Sequence, residues 1–329
     1  MTAFQPASFS RRAFVAGAVS LAAALPLAAH AQDAKPIEWV LGYAAGGGSD
    51  IVARTVAEAM GKTLKQTLVV NNKPGAATNI AADYVAKSKD PEHTMLTADF
   101  ATLAVNPFLF SKLPYDVEKD FAPVGMLVRF PMILVVAPNV PAKNYAEFLA
   151  WAKANPNGTN YASAGAGSPH HLAAELLRER TGLKLIHTPY RGAAPAVQDL
   201  MGSQVPFVIV DSASIYQYIA SGKVKAIGVA SPARLKTMPE VPTLAEQGLT
   251  GFEAYAWQGL VVPAAASPQT VARLNKALVE ALDSTAVKAR MQTLGVEPMP
   301  GTPAQMAEYT KKERERWGKL IKANNIRID

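Results

Sequence analysis

From residue 37 onward, short apolar runs alternate with stretches whose apolar residues recur every three or four positions. The first pattern reads as buried strands and the second as amphipathic helices. Strands are expected over 37–43, 68–71, 94–98, 124–137, 160–163, 184–188, 205–210, 225–230 and 252–262. Helices are expected over 50–64, 79–88, 144–154, 170–181, 193–202, 214–221, 268–283, 286–294 and 303–324. In the first helix Val52, Val56 and Met60 form one stripe, as a single buried face requires. Ser49 is placed to cap it, with Asp50 in its first turn to complement the dipole. The alternation predicts α/β layers. The runs 124–137 and 252–262 are candidates for strands that cross between two lobes. Lobe 1 is then 32–137 plus 246–329, with lobe 2, 138–245, inserted into it.

Two glycine-rich turns stand out, each between an apolar run and an amphipathic helix. The first is Gly42-Tyr43-Ala44-Ala45-Gly46-Gly47-Gly48-Ser49-Asp50, and the second is Ser163-Ala164-Gly165-Ala166-Gly167-Ser168-Pro169-His170-His171. Glycine lets backbone approach a ligand with no Cβ in the way, and the first N–H groups of a helix have no partner within it. Those donors and the dipole suit an anion. Ligands in open α/β sheets bind beyond the carboxyl ends of strands, where both turns lie. Together they point to a cleft that clamps a carboxylate or phosphate.

The leader changes the picture of where this happens. Arg11-Arg12 precede an apolar run from Ala16 to Ala29 and the small-residue site Ala29-His30-Ala31. That pattern is a twin-arginine signal peptide over 1–31, cleaved after Ala31, and it implies a periplasmic protein. Removing the two arginines leaves +5 of the chain's net +7, a mild field that helps attract anionic ligands, while acids interrupt the basic stretches and argue against nucleic acid. Lys311-Lys312-Glu313-Arg314-Glu315-Arg316 mixes both signs and reads as a solvated helix face. There is no cysteine, so disulfides and thiolate metal sites are excluded.

The order of short motifs resembles one family, the Bug-type extracytoplasmic solute receptors of tripartite tricarboxylate transporters. Its glycine turn appears as Gly46-Gly47-Gly48-Ser49-Asp50, and its Asn-x-Pro-Gly-Ala segment as Asn72-Lys73-Pro74-Gly75-Ala76 followed by Asn79. Asn106-Pro107, Leu113-Pro114-Tyr115-Asp116 and Asp120-Phe121-Ala122-Pro123-Val124 continue the match. So do Gly167-Ser168-Pro169-His170-His171-Leu172-Ala173, Pro189-Tyr190-Arg191-Gly192, Asp211, and Pro239-Glu240-Val241-Pro242-Thr243. The resemblance implies a type II periplasmic-binding-protein fold, a Venus flytrap of mixed sheets flanked by helices. It further implies a monomer that captures a dicarboxylate, tricarboxylate or aromatic acid and delivers it to membrane transporter subunits. Two departures bear on the ligand. Ala45 replaces a usual proline, and Ala98-Asp99-Phe100 replaces a small, hydroxyl-rich segment. Asp99 would suit a hydroxyl or amine donor, and Phe100 a ring or alkyl body.

The candidate ligand-binding residues are Tyr43, Gly46, Gly47, Gly48, Ser49, Asp99, Phe100, Ser163, Gly165, Gly167, Ser168, His171, Arg191 and Asp211. The serines either bond a carboxylate or cap helices, and Asp50 and Asp211 either anchor the turns or touch ligand. Trp257 lines the cleft or fills the core. No cofactor or metal is expected, since adjacent histidines lack the i, i+4 spacing of helix zinc sites. Catalysis has weaker support. Gly165 and Gly167 lack the third glycine of a dinucleotide fingerprint, and Gly46–Asp50 lacks a Walker lysine. The enzyme alternative is a serine hydrolase using Ser163 or Ser168 with His171. A third reading is a ligand-sensing receptor for a signalling partner.

Overall fold

The computed structural model describes residues 1, 2 and 35–328, and the fold is that of the compact unit Lys35–Asp329. The leader expected over 1–31 lies outside the described residues save for the first two. Strand β1 (Ile37–Leu41) runs through the first glycine turn into α1 (Gly48–Leu64). Strand β2 (Leu68–Asn72), α2 (Asn79–Ala86) and β3 (Thr94–Asp99) follow, and β2 and β3 both pair with β1 in parallel. A π-helical turn (Ala101–Val105) and the short α3 (Asn106–Leu109) lead to β4 (Phe121–Val136).

Next come α4 (Tyr145–Lys153), β5 (Thr159–Ser163), α5 (Pro169–Thr181), β6 (Leu185–Pro189), α6 (Ala193–Met201), β7 (Phe207–Asp211), α7 (Ser212–Ala220) and β8 (Lys225–Val229). The chain ends with β9 (Tyr255–Pro263), α8 (Pro268–Asp283), α9 (Thr285–Thr293), β10 (Glu297–Pro298) and α10 (Pro303–Ala323). Among the described residues the strands order as β2-β1-β3-β9-β4-β7-β5-β6, with β8 and β10 also on β4. Parallel and antiparallel pairs mix, as β3–β9 and β4–β9 are antiparallel while β5–β6 and β5–β7 are parallel.

Strand β4 joins two halves of this sheet. It pairs with β9 from Phe121 to Pro131, then with β7 from Met132 to Val136. Pro131 has no N–H for a ladder, and the partner changes at the next residue. The packing divides at the same point. One buried core gathers residues from Met132 to Ala254, including Met132–Val136, Tyr161 and Phe207–Val210. Two others, built from Ile37 to Phe130 and from Tyr255 onward with Leu172 of α5 added, cover the first half of the sheet. The expected stripe of α1 is buried, with Val52, Val56 and Met60 at 0% exposure. Burying such side chains contributes about 1.5–3 kcal/mol each, which fixes α1 and therefore the turn before it.

Several boundaries differ from the sequence expectation. Helix α1 begins at Gly48, and its N-cap is Gly47 with extended backbone, so Ser49 lies one step inside and caps nothing. Helix α3 and the π turn lie in a stretch to which the sequence pattern assigned no element. Strand β10, two residues long, leaves no periodicity to read.

Candidate functional site

Asp50 ties the first glycine turn to the sheet. Its carboxylate accepts from Gly46 N at 2.9 Å, Arg54 Nε at 3.0 Å and Asn72 Nδ2 at 2.9 Å. Burial pushes its pKa up, but these bonds and the guanidinium outweigh that and hold it at about 2. Asn72 also donates to Tyr43 O at 2.9 Å, so β2 grips the turn at two points. Asp50 thus anchors the turn, and Gly46's N–H is taken by it. The N–H groups of Gly48, Ser49 and Asp50, in the first turn of α1, have no partner inside the helix. Gly46, Gly47 and Gly48 are exposed. A Cβ added at Gly46 or Gly48 meets nothing within 4 Å, and at Gly47 only Ala44 O at 3.7 Å. The outer face of this socket is open.

Behind the turn, β3 ends at Asp99 and the backbone turns helical at Phe100, which sends the two side chains different ways. Asp99 is 3% exposed and accepts from Tyr43 OH, Thr102 N at 2.9 Å and Thr102 Oγ1 at 2.8 Å. Burial, with the neighbouring Asp99 charge, pushes the Tyr43 hydroxyl pKa well up. Both residues therefore satisfy each other rather than presenting free polar groups. Phe100 turns the other way. Its ring packs edge-on against Trp257 at 6.0 Å and Trp317 at 5.3 Å, and Phe100 and Trp257 are each 1% exposed. This corrects the reading of Phe100 as a ligand-facing aromatic, and of the two alternatives for Trp257 the core is the one observed.

One residue of this region was missed from sequence. Gln258 on β9 lies opposite Asp99 and is 4% exposed. Its Nε2 donates to Ser49 Oγ at 2.5 Å. Alternation along β9 separates it from Trp257, but only the strand register shows that it reaches α1.

The second turn is built differently. Ser163 is fully buried, and its Oγ lies 2.6 Å from His187 Nε2 while accepting from Gly165 N at 3.1 Å. Gly167 N donates to His171 Nδ1 at 3.0 Å. His171 and His187 stack at 3.9 Å between ring centroids, only 5° from parallel, with the Tyr161 ring 5.1 Å from His187 and 6.4 Å from His171. Burial, then His187 and Arg178, push the His171 pKa down to about 3. Burial also lowers His187, against the opposing pull of Glu175. A neutral His171 that accepts at Nδ1 carries its proton on Nε2. Ser168 caps α5, accepting from His171 N at 3.3 Å, and donates to Gly165 O at 2.7 Å.

These contacts correct the idea of two equivalent sockets. Gly167 has φ +74°, its N–H is occupied, and a Cβ there would overlap Leu109 Cδ1 and sit 3.1 Å from Ile328 Cδ1. It is glycine because α3 and the C-terminal segment press on it. Pro169 at the start of α5 has no N–H to offer. The second turn presents fewer free donors than the first. The serine–histidine pairing also differs, since Ser163 meets His187 rather than His171. Glu175 is held by Tyr161 OH and Arg178 Nε, each at 2.8 Å, and not by either imidazole.

The remaining candidates lie around the second turn. Gly165, at φ +128°, packs against the Tyr190 carbonyl, and Tyr190 N and Gly192 N donate back to Ser163 O and Ala164 O. Arg191 between them is exposed. Asp211 caps α7 by accepting from Ser214 N at 2.9 Å and also meets His170 Nε2 at 3.1 Å. Despite burial, His170 and Ser214 hold its pKa below the usual value. It joins the starts of α5 and α7.

The motifs that carried the family resemblance converge on one further structure. Gly75, Ala76, Ala77 and Thr78 have φ of 130°, 47°, 50° and 71°, a left-handed run that non-glycine residues rarely sustain. Asn106 Nδ2 holds Ala77 O at 2.8 Å and Asn79 Oδ1 at 2.7 Å, and Tyr115 OH donates to Asn79 Oδ1 at 2.9 Å. Asn79, Asn106 and Tyr115 thus brace this strained loop next to Asp99 and Tyr43. Their spacing in sequence gave no sign of the contact.

A mixed sheet flanked by helices is the architecture of periplasmic binding proteins, and the comparisons agree. Residues 52–326 match the tripartite tricarboxylate transporter family receptor, and the chain belongs to that family. It is 33% identical over 306 residues to protein BugT of Bordetella pertussis, covering 93% of this chain and 94% of that one. The periplasmic binding protein BugD superposes with a TM-score of 0.78 at 33% identity, covering 89% of this chain and 99% of BugD. The R. palustris protein Rpa4515 with adipate gives a TM-score of 0.82 at 28% identity, covering 90% of this chain and 99% of that one.

Proposed function

We propose that this chain is an exported receptor that closes two lobes over a small carboxylate and delivers it to the membrane subunits of a tripartite tricarboxylate-type transporter. The carrying observation is the first turn. Three N–H groups at the start of a 17-residue helix stand behind an open glycine face, with Asp50 tied into the fold rather than facing the ligand. Rpa4515 holds adipate on the same fold, which supports an aliphatic dicarboxylate. In this reading the lobes are 32–137 with 246–329, and 138–245. The N–H groups of Gly48, Ser49 and Asp50 supply the main donors, and His171 Nε2–H and Arg191 close from the second lobe.

Thermal unfolding with adipate, citrate and benzoate tests the reading. A ligand that binds the native state alone adds about 2.7 kcal/mol at a hundredfold excess over its Kd. An upward shift with one of these acids is expected; no shift with any of them contradicts the carboxylate assignment. Export by the twin-arginine route is the companion proposal. Replacing Arg11 and Arg12 with Lys should leave the protein in the cytoplasm, and the exported form should begin at Gln32. Unchanged periplasmic recovery would overturn the twin-arginine route.

A further inference from the structure

Gln258 touches the first socket from a strand that no sequence motif connected to it. It lies opposite Asp99 on the face of the sheet that carries Tyr43 and the root of the turn. The side chain is 4% exposed, and its Oε1 is buried with no hydrogen-bond partner. Its Nε2 has one partner, Ser49 Oγ at 2.5 Å. Leucine would fill a similar volume without an unpaired oxygen, so what the amide adds here is that donor.

Ser49 is the second residue of α1 and half-buried, beside the N–H groups left unpaired at the helix start. A hydroxyl that accepts from Gln258 keeps its own proton for another acceptor. The described residues give that proton no partner. Without Gln258 the hydroxyl is free to turn inward, and its donor direction is lost.

We propose that Gln258 is a positioning residue that holds Ser49 Oγ as a donor toward the ligand carboxylate. This rests on the receptor reading above and adds to it a polar contact governed from β9. The strand thereby affects affinity without itself touching the ligand.

The test is a double-mutant cycle on adipate binding by titration calorimetry. Ser49→Ala and Gln258→Leu should each weaken binding about tenfold, and the double variant should lose little more than either alone, because both remove one element. Ser49→Thr keeps the hydroxyl and should bind within about threefold of wild type. Ligand-free unfolding of Gln258→Leu should match wild type, which a purely structural role for the amide would not allow. Wild-type affinity in Gln258→Leu, or losses that multiply to about a hundredfold in the double variant, overturns the inference alone. A wild-type protein that binds none of adipate, citrate or benzoate overturns the receptor reading, and this inference with it.

Discussion

The N–H of Gly167 points to Nδ1 of His171, four residues ahead, at 3.0 Å. This bond closes the second glycine turn on itself, as Gly46 N to Asp50 closes the first, but the first is also gripped from β2 by Asn72 and leaves the helix-start donors that follow it open. Two turns that look alike in sequence are therefore different devices. One keeps its donors open, and the other uses a donor to set a histidine tautomer.

Gly167 should accordingly matter more for folding than for ligand approach. Gly167→Ala forces a side chain into a left-handed conformation and against Leu109. A loss of about 1–3 kcal/mol in denaturant unfolding of the ligand-free protein is expected. Unaltered stability would show that the Leu109 contact can yield.

The stacked imidazoles give the stability a defined pH dependence. Both His171 and His187 have folded pKa values below the usual 6.5, His171 at about 3. Below 6.5 the unfolded chain then binds more protons than the folded one, so stability is full above that pH and is lost as pH falls toward 3. Asn at position 171 can still accept from Gly167 but cannot titrate. His171→Asn should flatten the stability profile between pH 6 and pH 4 by as much as about 1.4 kcal/mol per pH unit. An unchanged slope in that variant would mean that His171 does not stay neutral as the fold acidifies.

Ser163 and His187, 2.6 Å apart, also allow a direct check on the hydrolase alternative. The receptor reading expects adipate, or a simple ester offered in its place, to be recovered unchanged after long incubation with stoichiometric protein. Turnover that disappears in both Ser163→Ala and His187→Ala would favour catalysis.

The layers of this fold were legible because strands and helices here follow clean periods. Val52, Val56 and Met60 located α1, and the apolar run at 124–137 located β4. The open turn before α1 was legible too, since glycines before a helix act locally. What escaped was everything set by register and long-range contact. Phe100 looked like a ligand-facing ring until its place after Asp99 turned it into the core beside Trp257. Gln258 and His187 sit in the middle of strands, and only their neighbours across the sheet give them a role. Asn79, Asn106 and Tyr115 were visible as motifs but not as a single brace for the Gly75–Thr78 loop.

The central claim is that ligand backbone contacts form at the open first turn, and it is most directly tested at Gly47 and Gly48. Gly47 has φ −78°, and a Cβ at either position meets no close neighbour, so substitution there should not strain the fold. The measurement is the Kd of the Gly47→Val, Gly48→Val double variant for adipate, taken beside its ligand-free unfolding curve. Charge-assisted hydrogen bonds contribute about 1.5–3 kcal/mol each, so losing one predicts affinity weakened at least about tenfold with cooperative unfolding retained. Wild-type affinity in the folded double variant would place the carboxylate elsewhere and contradict the account.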